Sequence, residues 1–81
     1  MELLTTEERH GTIRGTVEGP RWAKFPQFLR DRCFILGVEL EMEIDKGWIR
    51  ENVRFKIEGN ESKVRRIMRE IKESIEVYNR A

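Results

Sequence analysis

Val38-Glu39-Leu40-Glu41-Met42-Glu43-Ile44-Asp45 alternates apolar and acidic residues without a break, and Trp48 to Glu58 alternates again after Lys46-Gly47. A period of two belongs to a strand with one face in a core and the other in water. Two such runs joined through a glycine predict a β-hairpin. In the second run Ile49, Val53, Phe55 and Ile57 point one way, and Trp48, Arg50, Asn52, Arg54 and Lys56 point the other. A tight turn at Lys46-Gly47 sets Ile44 against Ile49, Leu40 against Val53 and Val38 against Phe55. It also sets Glu43 against Arg50 and Glu39 against Arg54, so both faces agree and charges are matched. A turn one residue longer mixes the faces. Glu51 is the misfit, falling on the apolar face near the end of the sheet, within reach of water.

Upstream, Thr12-Ile13-Arg14-Gly15-Thr16-Val17-Glu18 reads as a shorter strand that ends at Gly19-Pro20. Leu3 to Arg9 pairs with it through a turn at His10-Gly11, setting Leu4 against Val17 and Glu7 against Arg14; a frayed tail over residues 1–10 is the alternative. Trp22, Phe25, Leu29, Cys33 and Leu36 recur at helical spacing, with Pro26 in a first turn and Gly37 as the stop. Regular helix is expected from near Phe25, leaving Pro20 to Lys24 as a loop. Asn60 caps a second helix whose stripe is Val64, Ile67, Met68, Ile71, Ile75 and Tyr78.

The element order (β)βαββα, with a right-handed crossover, puts the Thr12 strand parallel to the Val38 strand. A ferredoxin-like two-layer plait inserts the Trp48 strand between them and lays both helices on the apolar face. The sequence is therefore expected to form one α+β domain over residues 1–81 with an antiparallel-rich sheet. Plait folds usually draw a further strand from the C-terminus, which this chain lacks. The N-terminal strand fills that place or leaves the Thr12 strand as an open edge, which invites a homodimer.

The 81 residues suffice for one small core. Charged residues are 38% of the chain, yet 16 basic and 15 acidic side chains leave a net charge of +1. Bulk attraction to polyanions is thereby weak, and only a local patch could attract them. The wealth of Glu, Lys and Arg suits the surface ion-pair networks of thermophile proteins. A single cysteine excludes an internal disulfide framework and fits a reducing compartment. An acidic start and the lack of a long apolar run point to a cytoplasmic location without membrane contact.

Two surfaces carry candidate chemistry. The face of the sheet opposite the helices places Arg14, Arg50, Arg54 and Lys56 at its centre and Glu39, Glu41, Glu43 and Asp45 at its margin. Read plainly, it is a solvated face laced with ion pairs. Read functionally, it docks nucleic acid phosphates or an acidic protein. The loop Gly19-Pro20-Arg21-Trp22-Ala23-Lys24 leads into a helix N-terminus, where Arg21 and Lys24 could join backbone N–H groups around an anion. There the plain reading has Trp22 and Phe25 anchoring the loop in the core.

Gly15-Thr16-Val17-Glu18-Gly19 and Gly47-Trp48-Ile49-Arg50 resemble stretches of the acylphosphatases, small plait enzymes with a phosphate loop after their first strand. The resemblance covers most of the chain in element order and implies a phosphate hydrolase. No catalytic residue carries over: Arg21 comes too early for the family's loop arginine, Asn52 comes one residue late for its catalytic asparagine, and the last strand is missing. His10 and Cys33 lie too far apart for a metal site or a nucleophilic dyad. No cofactor is implied, and Cys33 reads as a buried helix residue. The expectation is a non-catalytic binding or assembly module; a homo-oligomeric structural protein and an acylphosphatase-like hydrolase are the alternatives.

Overall fold

The chain opens as a hairpin because His10 and Gly11 can both turn left-handed, with φ of 44° and 81°. That geometry matches the twist of the flanking strands. The computed structural model describes residues 1–81 and places β1 at Glu2–Arg9 and β2 at Thr12–Pro20. A short 3-10 turn at Arg21–Ala23 leads to α1 at Phe25–Leu36, then β3 at Glu39–Lys46, β4 at Arg50–Glu58 and α2 at Glu61–Arg80. The architecture is α+β, with one antiparallel sheet in the order β1-β2-β4-β3 and two helices. β1 covers the outer side of β2, which is therefore no free edge. The order β1-β2-β4-β3 is not that of the usual ferredoxin-like plait expected from the sequence, because the N-terminal strand β1 occupies the position beside β2.

Both helices stop and start on the signals in the sequence. Gly37 takes φ 69°, and its N–H and that of Val38 close the end of α1 on the carbonyls of Phe34 and Cys33. Asn60 Oδ1 accepts from the backbone N–H groups of Ser62 and Lys63 at 3.0 and 3.4 Å, capping α2. Ile13 and Val17 of β2, Val53, Phe55 and Ile57 of β4, Phe25, Leu29 and Cys33 of α1, and the stripe Val64, Ile67, Met68, Ile71 and Ile75 of α2 form one buried cluster. α1 lies over β3 and β4, and α2 over β1 and β2. The Phe55 ring crosses the sheet onto Gly15, where an added Cβ would sit 2.6 Å from the ring. Gly15 is thus the space that Phe55 occupies.

The β3–β4 register differs from the one expected. Glu43 faces Arg54, Ile44 faces Val53, Met42 faces Phe55 and Leu40 faces Ile57. Each β3 residue meets a partner four positions further along β4 than a tight Lys46-Gly47 turn dictates. An even shift keeps every side chain on its own face, so alternation alone cannot detect it. β2 decides it. Its pairing with Arg50–Glu58 ends at Pro20 and sets Ile13 against Ile57 and Val17 against Val53. With β3 drawn level, apolar rows such as Ile13–Ile57–Leu40 and Val17–Val53–Ile44 run straight across the sheet. Trp48 and Ile49 are consequently expelled into the connecting loop, which the Gly47 N–H closes on the Arg50 carbonyl at 2.8 Å.

Candidate functional site

Ile13, Val17, Val53 and Ile57 pack in one cluster with residues of both helices, and the alternate residues of the same strands form cross-strand rows of polar and charged side chains. One row reads Glu7, Arg14, Lys56, Glu41 from β1 to β3, and the next reads Thr5, Thr16, Arg54, Glu43. The two central strands thus set Arg14 directly opposite Lys56, with carboxylates outside them. A trough of about 630 Å³ runs over these rows, lined by Thr5, Arg14, Thr16, Glu43, Arg54 and Lys56 among others. Arg54 forms an ion pair with Glu43 at 2.7 Å, and Lys56 lies 4.0 Å from Glu58. The expected Glu43–Arg50 and Glu39–Arg54 pairs do not form. Arg50 instead donates to Glu18 at 2.9 Å on the neighbouring strand, because the shifted register carries it past the end of β3.

A second hollow, of about 460 Å³, opens at the hairpin end of the sheet. Arg21, Trp22, Lys46, Trp48, Ile49 and Glu51 line it. The Arg21 N–H donates to the Ile49 carbonyl at 2.9 Å, which ties the 3-10 turn to the β3–β4 loop. Trp22 is 64% exposed and Trp48 92%, so neither anchors the core. Glu51 shares the hollow with them and is only 7% exposed. It enters none of the ion pairs or side-chain hydrogen bonds of the fold. A groove lined by Glu18, Asp45, Arg50 and Asn52, sharing Lys46 and Glu51 with the hollow, links this end to the sheet.

Of the residues singled out in the sequence, Arg14, Arg54 and Lys56 share the trough, while Arg21 and Trp22 share the hollow. Arg50 lies in the connecting groove. Lys24, left-handed at φ 57°, caps the start of α1 and lines none of the three. In the loop expected to hold an anion, Pro20 and Pro26 carry no N–H, and the Arg21 N–H is taken by the Ile49 carbonyl. Arg21 and Asn52 line different hollows. Sequence reading missed Lys46, Trp48, Ile49 and Glu51 as a group. The visible signal was the pair Trp48-Ile49 beside Gly47, adjacent apolar residues that alternation cannot bury together. The Cys33 thiol is pushed up to about 11 by burial, so it stays a packed, protonated side chain.

Compared with protein-family models, curated proteins and solved structures, the chain matches none. No helix is long and apolar enough to cross a membrane.

Proposed function

We propose that the protein is a non-catalytic binding module that holds a single-stranded nucleic acid along the open face of its sheet. The observation that carries this reading is the direct opposition of Arg14 and Lys56 at the sheet's centre. Like charges facing each other across strands are destabilising, by roughly 0.2–1 kcal/mol relative to neutral or matched pairs. Folding alone favours an acidic residue at one of the two positions. A phosphate backbone laid over the trough would neutralise both. Arg54 follows Lys56 along β4 at about 6.8 Å, and Arg50 lies beyond Asn52, about 13.6 Å further toward the hairpin end.

The layout itself is a variant of the ferredoxin-like plait in which β1 takes the place of the missing C-terminal strand. A homodimer joined edge to edge is the weaker reading. The free edges are β1 and β3, and β3 carries Glu39, Glu41, Glu43 and Asp45, which repel a second copy.

The test is anisotropy of labelled single-stranded RNA and DNA across a salt series. Binding should weaken with salt. Arg14→Ala with Lys56→Ala should make the log–log slope shallower by about one for each phosphate no longer neutralised. The same double variant should stay folded, since it relieves one repulsion and gives up only exposed neighbours at Glu7, Glu41 and Glu58. An unchanged affinity in the double variant sinks the proposal. Binding of an acidic peptide in place of either nucleic acid would reassign the face to a protein partner.

A further inference from the structure

The geometry points to a base-recognition site at the hairpin end: the hollow between Trp22 and Trp48 takes one unpaired nucleobase bearing an exocyclic amine, which Glu51 accepts. This inference rests on the nucleic-acid reading of the sheet face and deepens it.

Three independent features of the hollow converge on such a ligand. The first is its aromatic lining. Trp22 and Trp48 are the chain's two tryptophans, and a small core has every use for them. Both are left largely in solvent, 64% and 92% exposed, on separate loops tied together by the Arg21–Ile49 hydrogen bond. Exposed aromatic rings beside cations form the stacking platforms of single-strand binders. The second is Glu51. Its residue is more than nine-tenths buried, it lines the hollow, and its carboxylate enters no ion pair or hydrogen bond of the protein while its oxygens still reach solvent. A carboxylate only accepts, so its natural complement is an amino group. The third is Arg21 and Lys46, which line the same hollow. They suit the phosphate attached to that base and join the basic stripe through the groove at Arg50.

Other ligand classes satisfy these features only in part. An alkylammonium fits the two tryptophans and Glu51, but Arg21 and Lys46 repel it. An anionic lipid surface fits the tryptophans and the cations, but it presses its own charge against Glu51. An amine-bearing nucleotide complements all of them. Cytosine and adenine offer an amino group at the pairing edge, whereas thymine offers one N–H flanked by two carbonyls that a carboxylate repels.

The test uses intrinsic tryptophan fluorescence, because both emitters line the hollow. Short oligo(dC) and oligo(dA) should quench it and bind about tenfold more tightly than oligo(dT), the discrimination expected of one good base contact. Inorganic polyphosphate, which has no bases, should leave the emission unmoved. Trp48→Ala should weaken oligo(dC) by about tenfold or more, since stacking is worth ~1–3 kcal/mol per base. Glu51→Gln should bring oligo(dC) and oligo(dT) to within about a factor of two of each other. Circular dichroism should show both variants folded. Oligo(dT) equal to oligo(dC) in the parent overturns the amine assignment. Oligonucleotide binding that responds to Arg14→Ala and Lys56→Ala, with unmoved fluorescence and no effect of Trp48→Ala, overturns the hollow and leaves the sheet face standing. Quenching that survives Arg14→Ala and Lys56→Ala unchanged supports the hollow and overturns the sheet face. Absence of binding by every oligonucleotide overturns both.

Discussion

The two hairpins of this fold set their register by opposite means. β1 and β2 meet through a tight turn in which His10 and Gly11 are both left-handed. From there Glu7 pairs with Arg14 as counting from the turn requires. Beyond them a bulge at Leu4 slips the pairing by one, so Leu3 rather than Leu4 faces Val17. That slip leaves Leu4 44% exposed and turns Leu3 toward the core. β1 contributes little else: all its other residues are exposed. β3 is the reverse. Leu40, Met42 and Ile44 all pack against the core, and its loop to β4 has no left-handed residue. The turn governs the first hairpin, and side-chain packing through β2 and β4 governs the second.

The largest effect should come from the seam that both hairpins share. Phe55 fills the space over Gly15 and lies 6.3 Å, centroid to centroid, from Phe25. Phe55→Ala should destabilise the domain by about 3–5 kcal/mol, read from urea unfolding. If the hairpins were independent units, the loss would appear as a second transition. One cooperative transition at lower urea is expected, because Ile13, Val17, Val53 and Ile57 belong to one cluster.

Next in size is the turn itself. Alanine at Gly11 must hold a left-handed φ and place its Cβ 2.6 Å from the Gly59 carbonyl oxygen. A cost of about 2 kcal/mol follows from the backbone preference, with more from the clash. Gly47 has no positive φ, and its added Cβ would meet the Arg50 carbonyl oxygen at 3.0 Å. Gly47→Ala should therefore cost less than half as much. Hydrogen exchange should show the Gly11→Ala loss concentrated in β1, where Leu3 alone of the strand turns inward to hold it. Equal costs at the two glycines would mean that turn chemistry governs both hairpins alike.

This contrast also separates what was legible in the sequence from what was not. Faces, element types and helix ends followed from local chemistry: the alternation at Leu40, Met42 and Ile44, the cap at Asn60, the stop at Gly37. Arg14, Arg54 and Lys56 could be placed on one face for the same reason. The β3–β4 register could not be read, because an even slip preserves both faces and re-pairs Glu43 with another arginine. Only β2, distant in sequence, aligns the apolar rows. The hollow escaped for a related reason: it exists because that slip expels Trp48 and Ile49 and brings them beside Arg21 and Trp22.

A smaller effect tests how the helix over one hairpin is held to the helix over the other. Glu70 of α2 accepts from Arg32 of α1 at 2.6 Å and from Arg66 at 3.0 Å. The Arg32 hydrogen bond, helped by Arg66, holds the Glu70 carboxyl below its ordinary range against the opposing pull of partial burial. A carboxylate with a depressed folded pKa contributes stability that is present above its unfolded pKa and fades as pH falls through the lower folded one. Melting temperature should thus fall on the acid side of pH ~4.3. Glu70→Gln should flatten part of that slope and lower the melting temperature at neutral pH by a few degrees. An identical acid slope in parent and variant would show that the Arg32–Glu70 link does not hold the helices together.

The smallest expected effect is also the sharpest test of register. Glu43 and Arg54 face each other and meet at 2.7 Å, but their side chains are 72% and 61% exposed. Water and salt screen such a pair, so a double-mutant cycle on Glu43→Ala and Arg54→Ala should give a coupling of only ~0.2–1 kcal/mol. The informative control is the cycle on Glu43→Ala and Arg50→Ala. A tight Lys46-Gly47 turn would couple that pair, whereas the observed sheet gives Arg50 to Glu18 and leaves it uncoupled from Glu43. Coupling with Arg54 and none with Arg50 places the hairpin in the shifted register. The reverse pattern would restore the tight turn, return Trp48 and Ile49 to the sheet, and dissolve the hollow that depends on their expulsion.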